Sequence, residues 1–282
     1  KVGGVFTSAN FTNNFFGIGN ETVNNDDDLT LDYNRVKTSI IGLDVGAIKS
    51  SGYGSEYGFR AIFEGIELDE TDNRFITDFM PTADEEFYER RLFTALEAEY
   101  DYHSADDEIA TSRGMDFNIV AGAKTEIEEF KNVFGYVNAH LGFYNALSVN
   151  RKLVLKTDIR TQLRFGDDFL FYQGANIGDG GAGLRGYRTE RFTGKNSLVT
   201  NADLRYSFNS FKTGWFPMQI GVFSGIDVGR VWVKNDTSEK WHNSYGGGFW
   251  VAAADSVAGT FNLFNGEDGL RFSFGFVLWS YL

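Results

Sequence analysis

The sequence predicts an all-β chain folded as a transmembrane antiparallel β-barrel, most simply of twelve strands. Three observations lead there. Long segments alternate apolar and polar residues with a period of two. No run of about 18 apolar residues exists to form a membrane-spanning helix, whereas a spanning strand needs only about 9–11 residues of alternating polarity. The polar breaks between segments come alternately long and short, the habit of an up-and-down barrel.

The clearest segment is Lys152–Phe165, KLVLKTDIRTQLRF. Leu153, Leu155, Thr157, Ile159, Thr161, Leu163 and Phe165 share one face, and Lys156, Asp158, Arg160, Gln162 and Arg164 the other. In the next strand Leu198, Thr200, Ala202, Leu204, Tyr206 and Phe208 alternate with Asn201, Asp203, Arg205 and Ser207. Earlier, Phe59, Ala61 and Phe63 alternate with Arg60, Ile62 and Glu64, and Leu92 to Tyr100 repeat the pattern against Arg91, Glu97 and Glu99. At the C-terminus Leu270, Phe272, Phe274, Phe276 and Leu278 alternate with Arg271, Ser273, Gly275 and Val277. Strands are expected near residues 2–12, 29–48, 55–68, 90–104, 113–125, 132–146, 152–166, 195–209, 215–232, 243–254, 257–264 and 268–281. The long breaks are Asn20–Asp28, Asp69–Glu86, Asp167–Gly194 and Lys234–His242. No segment is expected to be helical; Glu126–Lys131 is too short and polar.

With 282 residues and 2 prolines, and no linker-like stretch, residues 1–282 read as one domain. Twelve strands allow about 23 residues each with a share of loop, and sixteen would leave about 18, which is tight beside a loop of nearly thirty. A soluble β-sandwich would alternate too, with the charged face outward. Its strands average about 5–6 residues and turn every 8–12, roughly half the interval seen here. In a barrel the apolar face meets lipid. The charged face then lines a wet lumen, where Arg60, Glu64, Arg91, Glu97, Glu99, Lys156, Asp158, Arg160, Arg164, Asp203, Arg205, Asp227 and Arg271 can pair.

The net charge of −13 argues against a nucleic-acid partner. With no cysteine, disulfides and thiolate metal sites are excluded. No cofactor, metal or catalytic site is expected. GDGGAG lacks the lysine and the helix of a phosphate loop. No G-x-S-x-G is present. His103, His140 and His242 lie far apart, with His140 a polar wall residue. NNDDD (24–28) lacks EF-hand spacing and reads as a solvated loop. Phe15, Phe16, Trp215, Trp241 and Trp279, near strand ends, read as interfacial girdle residues.

One loop stands apart, GGAGLRGYRTERFTG at residues 180–194. Its GLRGY (Gly183, Leu184, Arg185, Gly186, Tyr187) resembles the (V/L)-R-G-(F/Y) element of the BamA-like superfamily of outer-membrane insertases, translocation-assembly barrels and two-partner-secretion transporters. NADLRYSF resembles that family's acidic-x-R strand, with Asp203 where Glu is more usual. FSGIDVG (223–229) is similar to its (F/G)-x-D-x-G element. DGLRFSFGF resembles the terminal signal of outer-membrane barrels but ends in Trp279-Ser280-Tyr281-Leu282 rather than on an aromatic. Five strands from the loop to the C-terminus match the family's layout. FFGIGNET with the acidic loop after it looks like members from Bacteroidetes-type bacteria.

The resemblance implies a long extracellular loop folded back into the lumen, its arginine docked on the wall. Parity agrees: Gly221, Gly225, Asp227 and Gly229 face inward and leave a smooth groove around one carboxylate. Arg185 is expected to pair with Asp227, with Asp203 as the second acid and Arg205 on the same wall. The family implies insertion or translocation of unfolded or secreted client proteins at the bacterial outer membrane, in contact with lipid, through a weak seam of the first strand (Val2, Gly3, Gly4) and the last (Phe272, Phe274, Phe276). No POTRA-type domain is visible. An exposed seam is also compatible with a homodimer or accessory outer-membrane proteins. Two other readings remain open: a passive channel plugged by the loop, and a barrel that anchors or exports a fused domain lying before Lys1.

Overall fold

In the computed structural model, which describes residues 2–8, 12–24, 32–80, 85–107, 110–128, 130, 132–166, 169–180, 183–214, 216–253 and 257–278, the chain forms one large antiparallel sheet with its long connections gathered at one end. The sheet comprises β1 (Val2–Thr7), β2 (Thr12–Asn14), β3 (Arg35–Gly52), β4 (Ser55–Leu68), β5 (Arg91–Ala105), β6 (Gly114–Glu126), β7 (Phe134–Ala146), β8 (Leu153–Phe165), β11 (Asn196–Ser207), β12 (Phe211–Lys212), β13 (Pro217–Trp232), β14 (His242–Ala253), β15 (Val257–Gly266) and β16 (Gly269–Leu278). A separate pair, β9 (Ala175–Ile177) and β10 (Phe192–Gly194), stands between β8 and β11. Twelve strands pair in the order β1-β3-β4-β5-β6-β7-β8-β11-β13-β14-β15-β16, with β2 and β12 as side pieces on β3 and β13. Every neighbour follows its predecessor in sequence, so each connection is a hairpin. Among the described residues no ladder joins β1 to β16.

The alternation fixes which face is which. On β11, Ser197, Val199, Asn201, Asp203 and Arg205 are sheltered, while Thr200, Ala202, Leu204 and Tyr206 are exposed. On β13, Gly221, Gly225, Asp227, Gly229 and Val231 are buried, and Val222 and Ile226 are exposed. Phe59, Leu96, Phe272, Phe274 and Phe276 all stand outward. Charge is therefore inside and apolar surface outside, the reverse of a sandwich in water. The sheet curls around its charged face: a cavity of about 330 Å³ is lined by Lys156, Asp158 and Arg160 of β8 and also by Asn262 and Ser273 of β15 and β16. Inward charges pair across strands, as Arg60–Glu97 at 2.6 Å and Lys124–Glu64, and along a strand, as Lys156–Asp158 at 3.1 Å.

Several boundaries differ from the sequence reading. The first strand stops at Thr7 rather than running to 12, and β2 pairs separately with β3. The second long strand starts at Arg35, not 29, because a turn precedes it in which Arg35 N donates to Asp32 O and the guanidinium pairs with the Asp32 carboxylate. It runs on to Gly52 because Tyr53 and Gly54 both take positive φ, as a two-residue I′ hairpin requires. The break expected at Asp69–Glu86 holds a short helix, α1 (Phe75–Phe79), and a second, α2 (Glu85–Tyr88), straddles its end; both are too short to leave a helical period in the sequence.

Phe15 and Phe16 are not girdle residues: each is only 2% exposed. Phe15 packs with Val36, Leu68 and Ile76, its ring 4.5 Å from Phe171 and 5.8 Å from Phe75. This apolar cap joins the connections 8–34, 69–90 and 166–195 over one end of the sheet. Trp241 is exposed, while Trp215, Trp279, the acid run 25–28 and the terminal residues 279–282 lie outside the described residues.

The outward band is a direct test of the medium it faces. Leu96, 69% exposed on β5, is the probe. Leu96→Arg is expected to cost about 2–4 kcal/mol if that face meets hydrocarbon. The measurement is the folded fraction in phosphatidylcholine vesicles, with inward Glu97→Gln losing far less. Equal yields for Leu96→Arg and the wild type would place the band in water.

Candidate functional site

The connection 166–195 begins with a 3₁₀ turn, Phe171–Gln173, and then forms the β9–β10 stem. Residues 178–180 and 183–191 belong to the tip of that stem, which meets the inner face through Gly183 and Arg185. Two glycines shape the tip: Gly183 and Gly186 have φ of +80° and +85°, a region L side chains rarely adopt. Between them the chain turns Leu184 into a fully buried cluster with Ile177, Tyr187, Phe192, Val199 and Val231, and turns Arg185 the other way, onto the wall.

Every nitrogen of Arg185 donates. Its main-chain N–H donates to Asp227 Oδ2 at 2.9 Å. Nε donates to Asp227 Oδ2 at 3.0 Å and Nη2 to Asp227 Oδ1 at 2.6 Å. Nη2 also reaches Asp203 Oδ1 at 2.6 Å, and Nη1 reaches Asp203 Oδ2 at 3.2 Å. One guanidinium thus makes a two-pronged contact with each of two carboxylates, geometry a lysine cannot copy. Asp227 is completely buried and also accepts from Asn201 Nδ2 at 2.7 Å and Ser244 Oγ at 3.1 Å. The Phe264 ring covers the guanidinium, its centroid 4.0 Å from Cζ. Burial alone would lower the Arg185 pKa; the hydrogen bonds and charge of Asp227 and Asp203 outweigh it, so the pKa is raised.

The other predicted wall residues have different places. Gly225 lies beneath the pair, where a Cβ would overlap the Asp203 carboxylate and sit 2.9 Å from Arg185 Nη2. A Cβ at Gly229 would press on Val199 at 3.0 Å. The expected smooth groove is therefore filled: by Arg185 and Asp203 at Gly225, by Val199 at Gly229, and by the Trp250 ring at Gly221. Arg205 stands outside the cluster, over the Trp250 ring at 5.6 Å. Tyr187 is fully buried and donates to Asn243 O at 2.9 Å, and burial pushes its phenol up to about 12. Val2, Gly3 and Gly4 pair with β3, and Phe272, Phe274 and Phe276 with β15, at the two edges of the sheet.

Asn201, Ser244 and Phe264 were not singled out in the sequence. Asn201 shares the parity of Asp203 and could have been found by it. Phe264 needs the register: it lies opposite Gly246, whose missing side chain gives its ring room. His140 pairs with Asp158 at 2.8 Å on the inner wall. Among the described residues no group of three His, Asp or Glu side chains could hold a metal ion.

No family model matches the chain, and no curated protein does. Solved structures do. BamA from Haemophilus ducreyi, in a form lacking POTRA domains 1–3, matches with a TM-score of 0.66 at 15% identity, over 86% of this chain and 55% of that one. CdiB from Escherichia coli matches with a TM-score of 0.60 at 10% identity, over 91% and 48%. The chain spans about half the length of each. At these identities the likeness is one of fold: the large antiparallel sheet matches those of the BamA and CdiB structures.

Removing Arg185 leaves two carboxylates together, one with no exposure. Arg185→Ala is expected to destabilise the protein by about 3–5 kcal/mol, the usual cost of orphaning a buried charge. Arg185→Lys is expected to recover less than half of that loss. Thermal unfolding in detergent checks both, and a melting temperature unchanged by Arg185→Ala would show that the pairing carries no stability.

Proposed function

We propose that the chain is a closed, twelve-stranded β-barrel of the bacterial outer membrane that inserts or translocates other proteins there. The observation that carries the reading is the Arg185 clasp on Asp227 and Asp203, reached by a loop that leaves the rim and lies on the inner wall. A loop that descends and returns must offset the entropy of ordering its residues. Charge-assisted, two-pronged hydrogen bonds offset that cost at a defined place on β11 and β13. The fold shared with BamA and CdiB supports the reading.

In this reading β1 and β16 meet at a weak seam. An edge strand presents unpaired N–H and C=O groups and is a template for a client strand. Val2, Gly3 and Gly4 on one side and Phe272, Phe274 and Phe276 on the other are the residues a client would displace or pair with. A Cβ at Gly3 would meet the Asp44 carboxylate, which would have to move, whereas Gly4 has room for one, its nearest neighbour being Gly42 O at 3.8 Å. The outward aromatics sit in lipid and the inward charges in water. Passive plugging is the second reading, favoured by the apolar cap around Phe15 and Phe171.

The deciding experiment times the folding of an urea-unfolded outer-membrane barrel into liposomes. Vesicles holding this chain are expected to speed it over empty vesicles, and vesicles holding Arg185→Ala to lose most of that gain. Folding no faster than in empty vesicles, alongside steady single-channel conductance, would sink the insertase reading in favour of a plugged pore.

A further inference from the structure

The loop contains another buried arginine, which the clasp does not use. Arg191 has 4% of its side chain exposed and Asp268 has 8%. Arg191 Nε donates to Asp268 Oδ2 at 2.7 Å and Nη2 to Asp268 Oδ1 at 3.3 Å. Its other bonds go to Thr22: Nη1 to Oγ1 at 2.8 Å and Nη2 to the carbonyl at 2.9 Å. The guanidinium is also packed on the rings of Phe192, at 4.4 Å, and Phe16, at 4.8 Å.

The position of its partners gives this pair its meaning. Thr22 lies in the connection from β2 to β3, where β2 continues the β1 edge along β3, and Asp268 lies in the two-residue turn that opens β16. One guanidinium therefore ties the connection beyond the β1–β2 edge to the turn that opens the other edge strand, and the two edges share no ladder among the described residues. Further contacts hold the Thr22 segment against β10 and β13. Asn20 brackets Val231 with both amide atoms, Nδ2 to the carbonyl at 2.8 Å and Oδ1 from the N–H at 3.0 Å. Gly19 N donates to Thr193 O at 2.8 Å. The outer contacts, Ser238 to Glu21 and Lys240 to Glu267, are exposed and correspondingly weaker.

We propose that Arg191 and Asp268 form a latch across the loop end of the seam, so that β1 and β16 part from the short-turn end while the rim stays tied. This rests on the insertase reading for its use, since a latch regulates a seam only if the seam opens. It gives a client strand one way in, from the short-turn end, and it makes release at the rim a separate step controlled by one buried ion pair.

The protein has no cysteine, so paired spin labels report chosen sites alone. In the full chain in liposomes, labels at Val23→Cys and Leu270→Cys read the rim, and labels at Val2→Cys and Phe276→Cys read the other end. All four positions are exposed. The expected rim distance is single and narrow in the wild type, and the Val2–Phe276 distribution is broader. In Arg191→Gln and in Asp268→Asn the rim is expected to gain a population longer by about 5 Å or more, one strand spacing. A control pair at Phe59→Cys and Phe143→Cys should not change. If Arg191→Gln does not fold, Asp268→Asn decides, because it removes only a charge. A rim distance that stays narrow in the variants that fold overturns the latch, and equally narrow ends in the wild type overturn the direction of opening. These distances are read without a client, so they stand or fall separately from the client-folding assay.

Discussion

A carboxylate with no exposure, Asp227, is the constraint on which the rest of the inner wall depends. An ionised group taken out of water costs several kcal/mol unless partners replace its hydration. The wall itself supplies only Asn201 and Ser244, which are neutral donors. The compensating charge comes from a different segment, the tip of the β9–β10 stem, as both a guanidinium and a main-chain N–H. The loop and the wall are therefore each incomplete without the other. Such a pair adds less to stability than to definition: it allows one placement of the loop, because a shift of a few ångström would leave the acid unpaired.

Steric room follows from the same constraint. A guanidinium flat against a sheet needs a missing side chain beneath it, which Gly225 provides between Asp203 and Asp227. It also needs a cover that excludes water without competing for its protons. Phe264 supplies that from β15, and its ring fits because Gly246 opposite has no Cβ. Strand glycines, which weaken a sheet in isolation, are here the sites where another group is received.

Much of this was legible in the sequence, and the reasons are physical. Period-two alternation over ten or more residues survives any tertiary context, so the twelve long strands of the sheet path appear near their expected places. The parity of Asp203, Gly225 and Asp227 followed from counting by twos, and GLRGY marked the loop. Contacts made through space were not legible. Phe15 and Phe16 look like rim aromatics by position, yet Phe15 is buried by α1 and Phe171, more than fifty and one hundred and fifty residues away, and Phe16 lies under the Arg191 guanidinium. Arg191 and Asp268, both near Gly-rich turns, carry no mark that they meet. The starts of β3 and the end of β1 were misplaced because a turn and an interrupted ladder, not polarity, set them.

The two buried arginines of one loop act on different parts of the sheet. Arg185 contacts β11 and β13, neighbours deep in the ordered path, and its release would free the loop without moving an edge. Arg191 contacts the β2–β3 connection and the turn before β16, and its release would free an edge without moving the clasp. Both are anchored by two-pronged contacts of similar chemistry, so neither is the obvious first to yield. What differs is replacement: among the described residues Asp227 takes its charged hydrogen bonds from Arg185, whereas the rim keeps Ser238–Glu21 and Lys240–Glu267 as exposed ties near Arg191. A rim that can lose its buried pair and remain loosely tethered is suited to opening and closing again, while a fully buried acid that loses its charged partner is not. The loop is thus fixed at its tip and adjustable at its base.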